Sequence, residues 1–299
     1  MTGSLELWPK GRIIGLAKKM GAIAAGCALA ARVDDEVIEY YEKWIEEGKN
    51  GTMDYLARYA DIRFDPRKLL AGAKTVISLA FPYRPAGGYH HPLIADYALG
   101  QDYHYVLKKR LKLVTDFMCE NYGAVSRICV DTAPILERYW AAKSGVGFVG
   151  RNRQLIVPGV GSGVFLAEIV TTLPLTPDIC SGDECDDCRA CVKACPGGAL
   201  SEGFDANRCR SYLSIEYRGA LESPLGRCVY GCDICQRVCP HNNSEPPEPL
   251  EEFRPDPRLL KIDGETMGKL TPGDWRRLTK ASAMRRISLA QLKRNLTGN

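Results

Sequence analysis

The sequence predicts a mixed α/β (α+β) domain over residues 1–175, a cysteine-rich module over 176–248 and a short basic helical segment over 249–299. Three observations predict it. Helix-period and strand-like segments alternate through the first half, ten of the thirteen cysteines fall between Cys180 and Cys239, and the stretch from Trp275 onward carries seven Lys or Arg and no Asp or Glu. With 299 residues, 45% hydrophobic and 25% charged, the composition is ordinary for a globular protein of roughly two domains. The net charge of +4 is too mild to define a partner, so the distribution of charge matters more than its sum.

In chain order, GRIIGLAKKMG from Gly11 reads as a helix stopped at Gly21, followed by a small-residue strand, AIAAGCAL, from Ala22. Lys18 and Lys19 interrupt this apolar stretch, which excludes a signal peptide, and no window is long and apolar enough to span a membrane. Further strands are expected at Thr75–Phe81 and Ser126–Val130, and helices at Val37–Glu47 and Val106–Glu120. Gln154–Val157 and Val164–Leu173 flank the glycine-rich PGVGSG, which predicts a hairpin between them. PLTP, Pro174 to Pro177, marks the first domain boundary and EPPEP, Glu245 to Pro249, the second.

The run CDDCRACVKACP, Cys185 to Pro196, has the C-x2-C-x2-C-x3-C-P spacing of a bacterial [4Fe–4S] ferredoxin, in which the fourth cysteine serves the other cluster of a pair. CDICQRVCP, Cys232 to Pro240, is a second, partial run. Together they supply seven of the eight thiolates that two clusters need, leaving one to come from Cys180, Cys209 or Cys228. Zinc is the alternative for C-x2-C spacing, but two runs that each end in C-x3-C-P suit cubane clusters better. Such clustering, rather than paired staples, indicates a reducing cytoplasmic setting. Cys27, Cys119 and Cys129 sit in apolar surroundings and read as buried thiols.

Other candidates carry less. GVGFVG, Gly145 to Gly150, matches G-x-G-x-x-G but follows a helical stretch instead of a strand, so it reads as a turn. Asp131 or Thr132, ahead of Pro134, reads first as a helix cap. Asp131 also ends a strand, where open α/β sheets bind ligands, and partial burial there would raise its pKa into the range of a usable acid. His90 and His91 read as loop surface, His104 as a cap or pocket-lining residue, and the basic tail as a phosphate-contacting face.

Several segments together resemble the epoxyqueuosine reductase family of cobalamin- and iron–sulfur-dependent tRNA-modification enzymes. They are GTMDYLAR (51–58), YALGQDYH (97–104), VDTAPILER (130–138), GVGFVGRN (145–152), the Cys185 run with CPGGAL, DANRCRSYLSIE (205–216) and YGCDICQRVCP (230–240). The likeness spans about residues 10 to 295. It implies a cobalamin-binding α/β domain, a bacterial-type two-[4Fe–4S] ferredoxin domain and a short helical C-terminal region, in a short form without a C-terminal helical-repeat domain. His241 replaces the tryptophan usual after the last cysteine–proline pair, and Gln101 stands where arginine is common.

By the same resemblance, one cluster takes Cys185, Cys188, Cys191 and Cys239, and the other Cys195, Cys209, Cys232 and Cys235. Asp131 matches the proton donor, and Arg58, Asp131, Arg138, Arg151, Asn152, Leu155 and Ser211 lie at or near the cobalamin. The implied enzyme is a cytoplasmic, monomeric oxidoreductase that takes electrons from an external low-potential donor and reduces epoxyqueuosine in the tRNA anticodon loop to queuosine. Two alternatives are a corrinoid reductase with a small-molecule substrate, such as a reductive dehalogenase, and a non-catalytic electron carrier to a corrinoid partner.

Overall fold

The computed structural model describes residues 9–84, 90–180 and 182–298; the first eight residues of the expected N-terminal domain therefore lie outside the description. In order, the N-terminal region contains α1 (Pro9–Lys19), β1 (Ala24–Leu29), α2 (Asp35–Glu46), three short helical turns, β2 (Thr75–Pro82), α3 (Tyr103–Tyr122), β3 (Ser126–Cys129), α4 (Glu137–Lys143), β4 (Phe148–Val149), β5 (Leu155–Ile156) and β6 (Val164–Thr171). The main sheet has the order β1-β2-β6-β3 and every pairing in it is antiparallel.

β2 is the centre, buried at all eight positions, and its two-residue period divides the core. Ile77, Leu79 and Phe81 join α1 and α3 on one face, while Val76 and Ala80 face the side that carries α4. α3 is fixed at both ends: the Asp102 carboxylate accepts the His104 N–H, and Gly123 closes the helix in the left-handed region at φ 62°. The small residues of β1 have a packing cause. At Gly26 a Cβ would overlap the Ser144 carbonyl oxygen, just past the end of α4.

Two expectations about this region are corrected. The stretches around PGVGSG do not form a hairpin with each other: β5 pairs with β4, and β6 pairs with β2 and β3, leaving only a Val157–Gly161 bridge in the turn. The longer apolar strand gains more by filling the sheet centre than by pairing with its neighbour in sequence. Nor is Asp131 or Thr132 a helix cap, because α4 starts six residues later, at Glu137, with Leu136 ahead of it.

Past β6 the chain straps back over β1, where Asp178 accepts the Cys27 N–H at 2.8 Å and pairs with Lys10. The cysteine-rich part contributes α5 (Ala190–Ala194), α6 (Arg210–Ile215) and α7 (Ile234–Arg237). It is pinned to the first half by buried Asn242, whose side chain accepts the Ser162 N–H and donates to the Ser162 hydroxyl and the Gln236 carbonyl. The end of the chain forms α8 (Pro272–Leu278) and α9 (Leu289–Thr297). Trp275, Met284, Ile287 and Leu292 share a core with Ile94, Leu99 and Tyr230, so this segment is packed into the body.

The charges of that end are partly structural. Arg294 donates to the Leu213, Tyr217 and Gly219 carbonyls, and Arg286 pairs with Glu216 at 2.8 Å. His91 is also corrected: it is 1% exposed, facing the Ile262 carbonyl and accepting the Leu93 and Ile94 N–H groups. Cys27 and Cys129 are buried as expected, but Cys119 is exposed on α3. Replacement of Gly26 by alanine is expected to cost about 1–3 kcal/mol through overpacking against Ser144, read as a lowered midpoint in urea denaturation; an unchanged midpoint would show that the α4 end can move aside.

Candidate active site

None of the thirteen cysteines forms a disulfide, and the fold sorts eight of them into two groups. Cys185, Cys188, Cys191 and Cys239 line a small outer cavity together with Arg151, Asn152, Pro240 and His241. Cys195, Cys209, Cys232 and Cys235 line a second, much larger cleft of about 580 Å³. Burial pushes the Cys191, Cys209, Cys235 and Cys239 thiols up, and the thiols that push each of these further are of its own group, whereas Cys232 is pushed up by Cys228, outside both groups. Among the described residues no three His, Cys, Asp or Glu side chains converge to hold a single metal ion; each set of four thiols lines its own cavity.

Of the two cysteines left over, Cys228 is buried beside Cys232 and Arg210, and Cys180 is exposed, its thiol meeting the Ala142 carbonyl at 3.0 Å. His241 stands edge-on to the Phe148 ring with centroids 5.3 Å apart, so an aromatic contact persists at this position.

The large cleft runs between the sheet domain and the cysteine-rich part. Asp131 stands at its edge in the turn after β3, with φ 58°, a left-handed conformation that costs a non-glycine residue about 1–2 kcal/mol. Its N–H donates to Glu137 Oε1 at 2.5 Å and its Oδ2 meets His104 Nε2 at 3.1 Å. The other ring nitrogen of His104, Nδ1, lies 2.7 Å from Asp102 Oδ1. The imidazole stacks on Tyr103, which stacks on Phe165, with centroids 4.1 and 4.4 Å apart. Thus the DYH tripeptide, by capping α3, also fixes the ring that reaches Asp131.

The charge state differs from the expectation. Burial at the cleft wall pushes the Asp131 carboxyl up, but the hydrogen bond and charge of His104 outweigh it and hold the group below its ordinary value. Burial likewise disfavours the charged imidazole, yet the bonds to Asp102 and Asp131 raise His104 to about 9. At neutral pH the proton therefore resides on His104, between two carboxylates. The argument from parallel sheets does not apply to Asp131 either, since this sheet is antiparallel; the C-terminal end of β3 opens on the cleft because β3 is an edge strand.

The other named residues separate. Arg138, Asn152, Leu155 and Ser211 line the cleft. Asn152 is 4% exposed, and its Nδ2 is a buried donor without a partner, which suits a cofactor carrying amide or carbonyl groups. Arg151 turns to the outer cavity, its N–H 3.3 Å from Cys185 Sγ and its guanidinium on Asp187. Arg58 is exposed in a separate surface groove with Arg32, Asp61 and Lys68. Sequence reasoning did not assign Asp102, Glu137 or Glu168 to this neighbourhood; only the capping position of Asp102 was readable in advance.

Fold and site define a mixed α/β oxidoreductase whose cysteine-rich part binds two iron–sulfur clusters. The sequence profile described as "4Fe-4S double cluster binding domain" matches residues 184–242, and that described as "Epoxyqueuosine reductase QueG, DUF1730" matches residues 63–132. An epoxyqueuosine reductase of Cellulophaga algicola is 36% identical over 289 residues, covering 93% of this chain and 94% of the relative. The chain belongs to the epoxyqueuosine reductase family. A solved epoxyqueuosine reductase with an epoxyqueuosine-modified tRNA-Tyr stem loop superposes with a TM-score of 0.85 at 28% identity, covering 96% of this chain and 79% of that one. The Bacillus subtilis enzyme, solved with its catalytic aspartate loop swung out of the active site, gives a TM-score of 0.84 at 27% identity over the same shares.

The raised His104 pKa has a stability consequence. The ion pair with Asp131 and Asp102 is fully present below the unfolded-state value of about 6.5 and is lost as pH rises through about 9. An NMR titration of His104 is expected to give a midpoint near 9 that falls toward the ordinary range in Asp131→Asn; an unshifted midpoint in that variant would show that Asp102 alone holds the proton.

Proposed function

We propose that this chain reduces the epoxide of epoxyqueuosine, at the wobble position of a tRNA anticodon, to give queuosine. One observation carries the reading: Asp131 and His104 share an open cleft with the thiols of Cys195, Cys209, Cys232 and Cys235. A proton-holding pair and an electron-delivering group thus meet in one space. Family membership and the modified stem loop held by the solved relative support tRNA as the substrate.

Cys185, Cys188, Cys191 and Cys239 would hold an outer [4Fe–4S] cluster, and Cys195, Cys209, Cys232 and Cys235 an inner one. Cobalamin would lie in the cleft against Arg138, Asn152, Leu155 and Ser211, with residues 1–175 forming its binding domain, residues 176–248 the cluster domain and 249–299 the helical segment behind them. Asn152 Nδ2 is the donor best suited to an amide of its periphery. When bound, the clusters and cobalamin supply strongly reducing electrons, at cluster potentials that reach down to about −700 mV.

The chain's own residues supply the protons. Reduction consumes two electrons and two protons per epoxide and yields one alkene and one water. Cleavage of the C–O bond leaves negative charge on oxygen, and a proton held on His104 Nε2 can pass through Asp131 Oδ2, 3.1 Å away, to that oxygen. Asp102 keeps the ring oriented, and the Phe165–Tyr103–His104 stack keeps it from rotating. Arg138, Arg153 and Arg286 line the same cleft, which suits a base splayed out of the anticodon loop with its flanking phosphates outside. Exposed Cys188 brings the outer group to the surface, where an external low-potential donor can reach it, and a single chain carries every named group, so a monomer suffices.

Two measurements test this. Reduced, cobalamin-loaded protein is expected to remove one oxygen from epoxyqueuosine in tRNA, seen by nucleoside mass spectrometry, with Asp131→Asn slower by at least about a hundredfold; an unchanged nucleoside would overturn the substrate. Reconstituted wild-type protein is expected to hold about eight iron atoms and Cys195→Ser about four, and zinc in their place would overturn the electron path.

A further inference from the structure

Behind Asp131 lie two carboxyl groups that the proposed reaction does not use. Glu168 projects from β6 opposite Ser78 of β2 and Cys129 of β3, on the face covered by α4, and is 0% exposed. Among the described residues no N–H or O–H donor meets either of its oxygens. The polar group it faces is the Glu137 carboxyl. Glu137, half-buried in the first turn of α4, in turn accepts the Asp131 N–H on Oε1. The three residues form a column from the centre of the sheet to the edge of the cleft.

Charge decides what such a column can be. Asp131, Arg138 and His104 surround Glu137, whereas the titratable groups that act on or feel Glu168 among the described residues are Glu137 and the Cys129 thiol, none of them a cation. A buried carboxylate without a counter-charge is too costly to persist, and two ionised carboxylates in contact are costlier still. Burial accordingly pushes both groups up, Glu137 to about 7 and Glu168 well above its ordinary value, and each is pushed further by a neighbouring carboxyl, Glu137 by Asp131 and Glu168 by Glu137. One proton between the two satisfies both: Glu168 donates to Glu137, and Glu137 keeps an oxygen for the Asp131 N–H.

We propose that Glu168 is a positioning residue which, by donating to Glu137, latches the Asp131 turn into the cleft. Asp131 occupies a backbone region that L-residues seldom adopt, so the turn needs a fixed acceptor. In the Bacillus subtilis relative the catalytic aspartate loop has been seen swung out of the active site, so in that protein the loop has a second position. This role presupposes Asp131 as the acid, whereas the order of the turn can be measured without turnover.

Hydrogen–deuterium exchange on the cluster-loaded protein tests the latch. Glu168→Leu, which keeps volume and removes the donor, is expected to speed exchange of the amides in 131–136 by at least about fivefold, the loss of about one hydrogen bond. Glu168→Gln retains an N–H donor and is expected to stay within about twofold of wild type. Glu137→Leu, less buried, serves if Glu168→Leu does not fold and is expected to loosen the same amides. Infrared difference spectra should show a protonated carboxyl band that Glu168→Gln abolishes. Wild-type exchange at 131–136 in Glu168→Leu, or a carboxyl band surviving in Glu168→Gln, would overturn the latch, as would equal loosening of all β6 and β2 amides in both Glu168 variants. If instead Asp131 is not the acid, Asp131→Asn turns over normally while the turn's exchange still follows Glu168.

Discussion

The interleaving of the two thiol groups constrains the rest of the molecule. Cys185, Cys188 and Cys191 are neighbours in sequence, but their group is closed by Cys239; Cys195, four residues beyond Cys191, leaves to join Cys209, Cys232 and Cys235. The chain from 196 to 239 must therefore go out and return, and its return has to be held. Asn242 holds it, bonded to Ser162 in the turn before β6, so the geometry of the cysteine-rich part is referred to the central sheet. The cleft is the space left between two bodies tied together at that point.

Within the cleft, charge is arranged by pairing and not by burial alone. The DYH tripeptide uses one carboxylate both to cap α3 and to hold an imidazole, and the imidazole then holds a proton beside the aspartate at the cleft edge. Asp131 consequently stays ionised at rest, with the proton held behind it on His104. The same logic, run with two carboxyl groups and no cation, gives the Glu137–Glu168 pair its shared proton.

How much of this could be read in advance depended on the range of the interactions involved. The thiol spacing within Cys185–Cys195 is local and covalent, so it was legible, as were the central strand at Thr75 and the long helix beginning near Val106. The expected hairpin failed because the partners of β6 are set by the sheet as a whole: β2 lies more than eighty residues upstream. The burial of His91 is not legible because a polar doublet carries no sign of the Ile262 carbonyl it faces, and the exposure of Cys119 is not legible because helix phase in α3 is set by which face meets the sheet. The charge state of Asp131 required His104, which is 27 residues away and adjacent only after β3 pairs. Arg58 and Arg151 were drawn toward the cleft by motif proximity, yet one lies in a separate groove and the other serves the outer cavity.

The exposure of Cys188 sets a different kind of limit. A thiolate that an electron donor can approach is equally open to dioxygen, and susceptibility of sulfur to oxidation follows its accessibility. The inner group, walled in by the cleft, is shielded by whatever fills that cleft. The weak point of this fold in air is thus at its outermost relay, some distance from the bond being broken, so damage there would isolate an otherwise intact catalytic pocket from its supply.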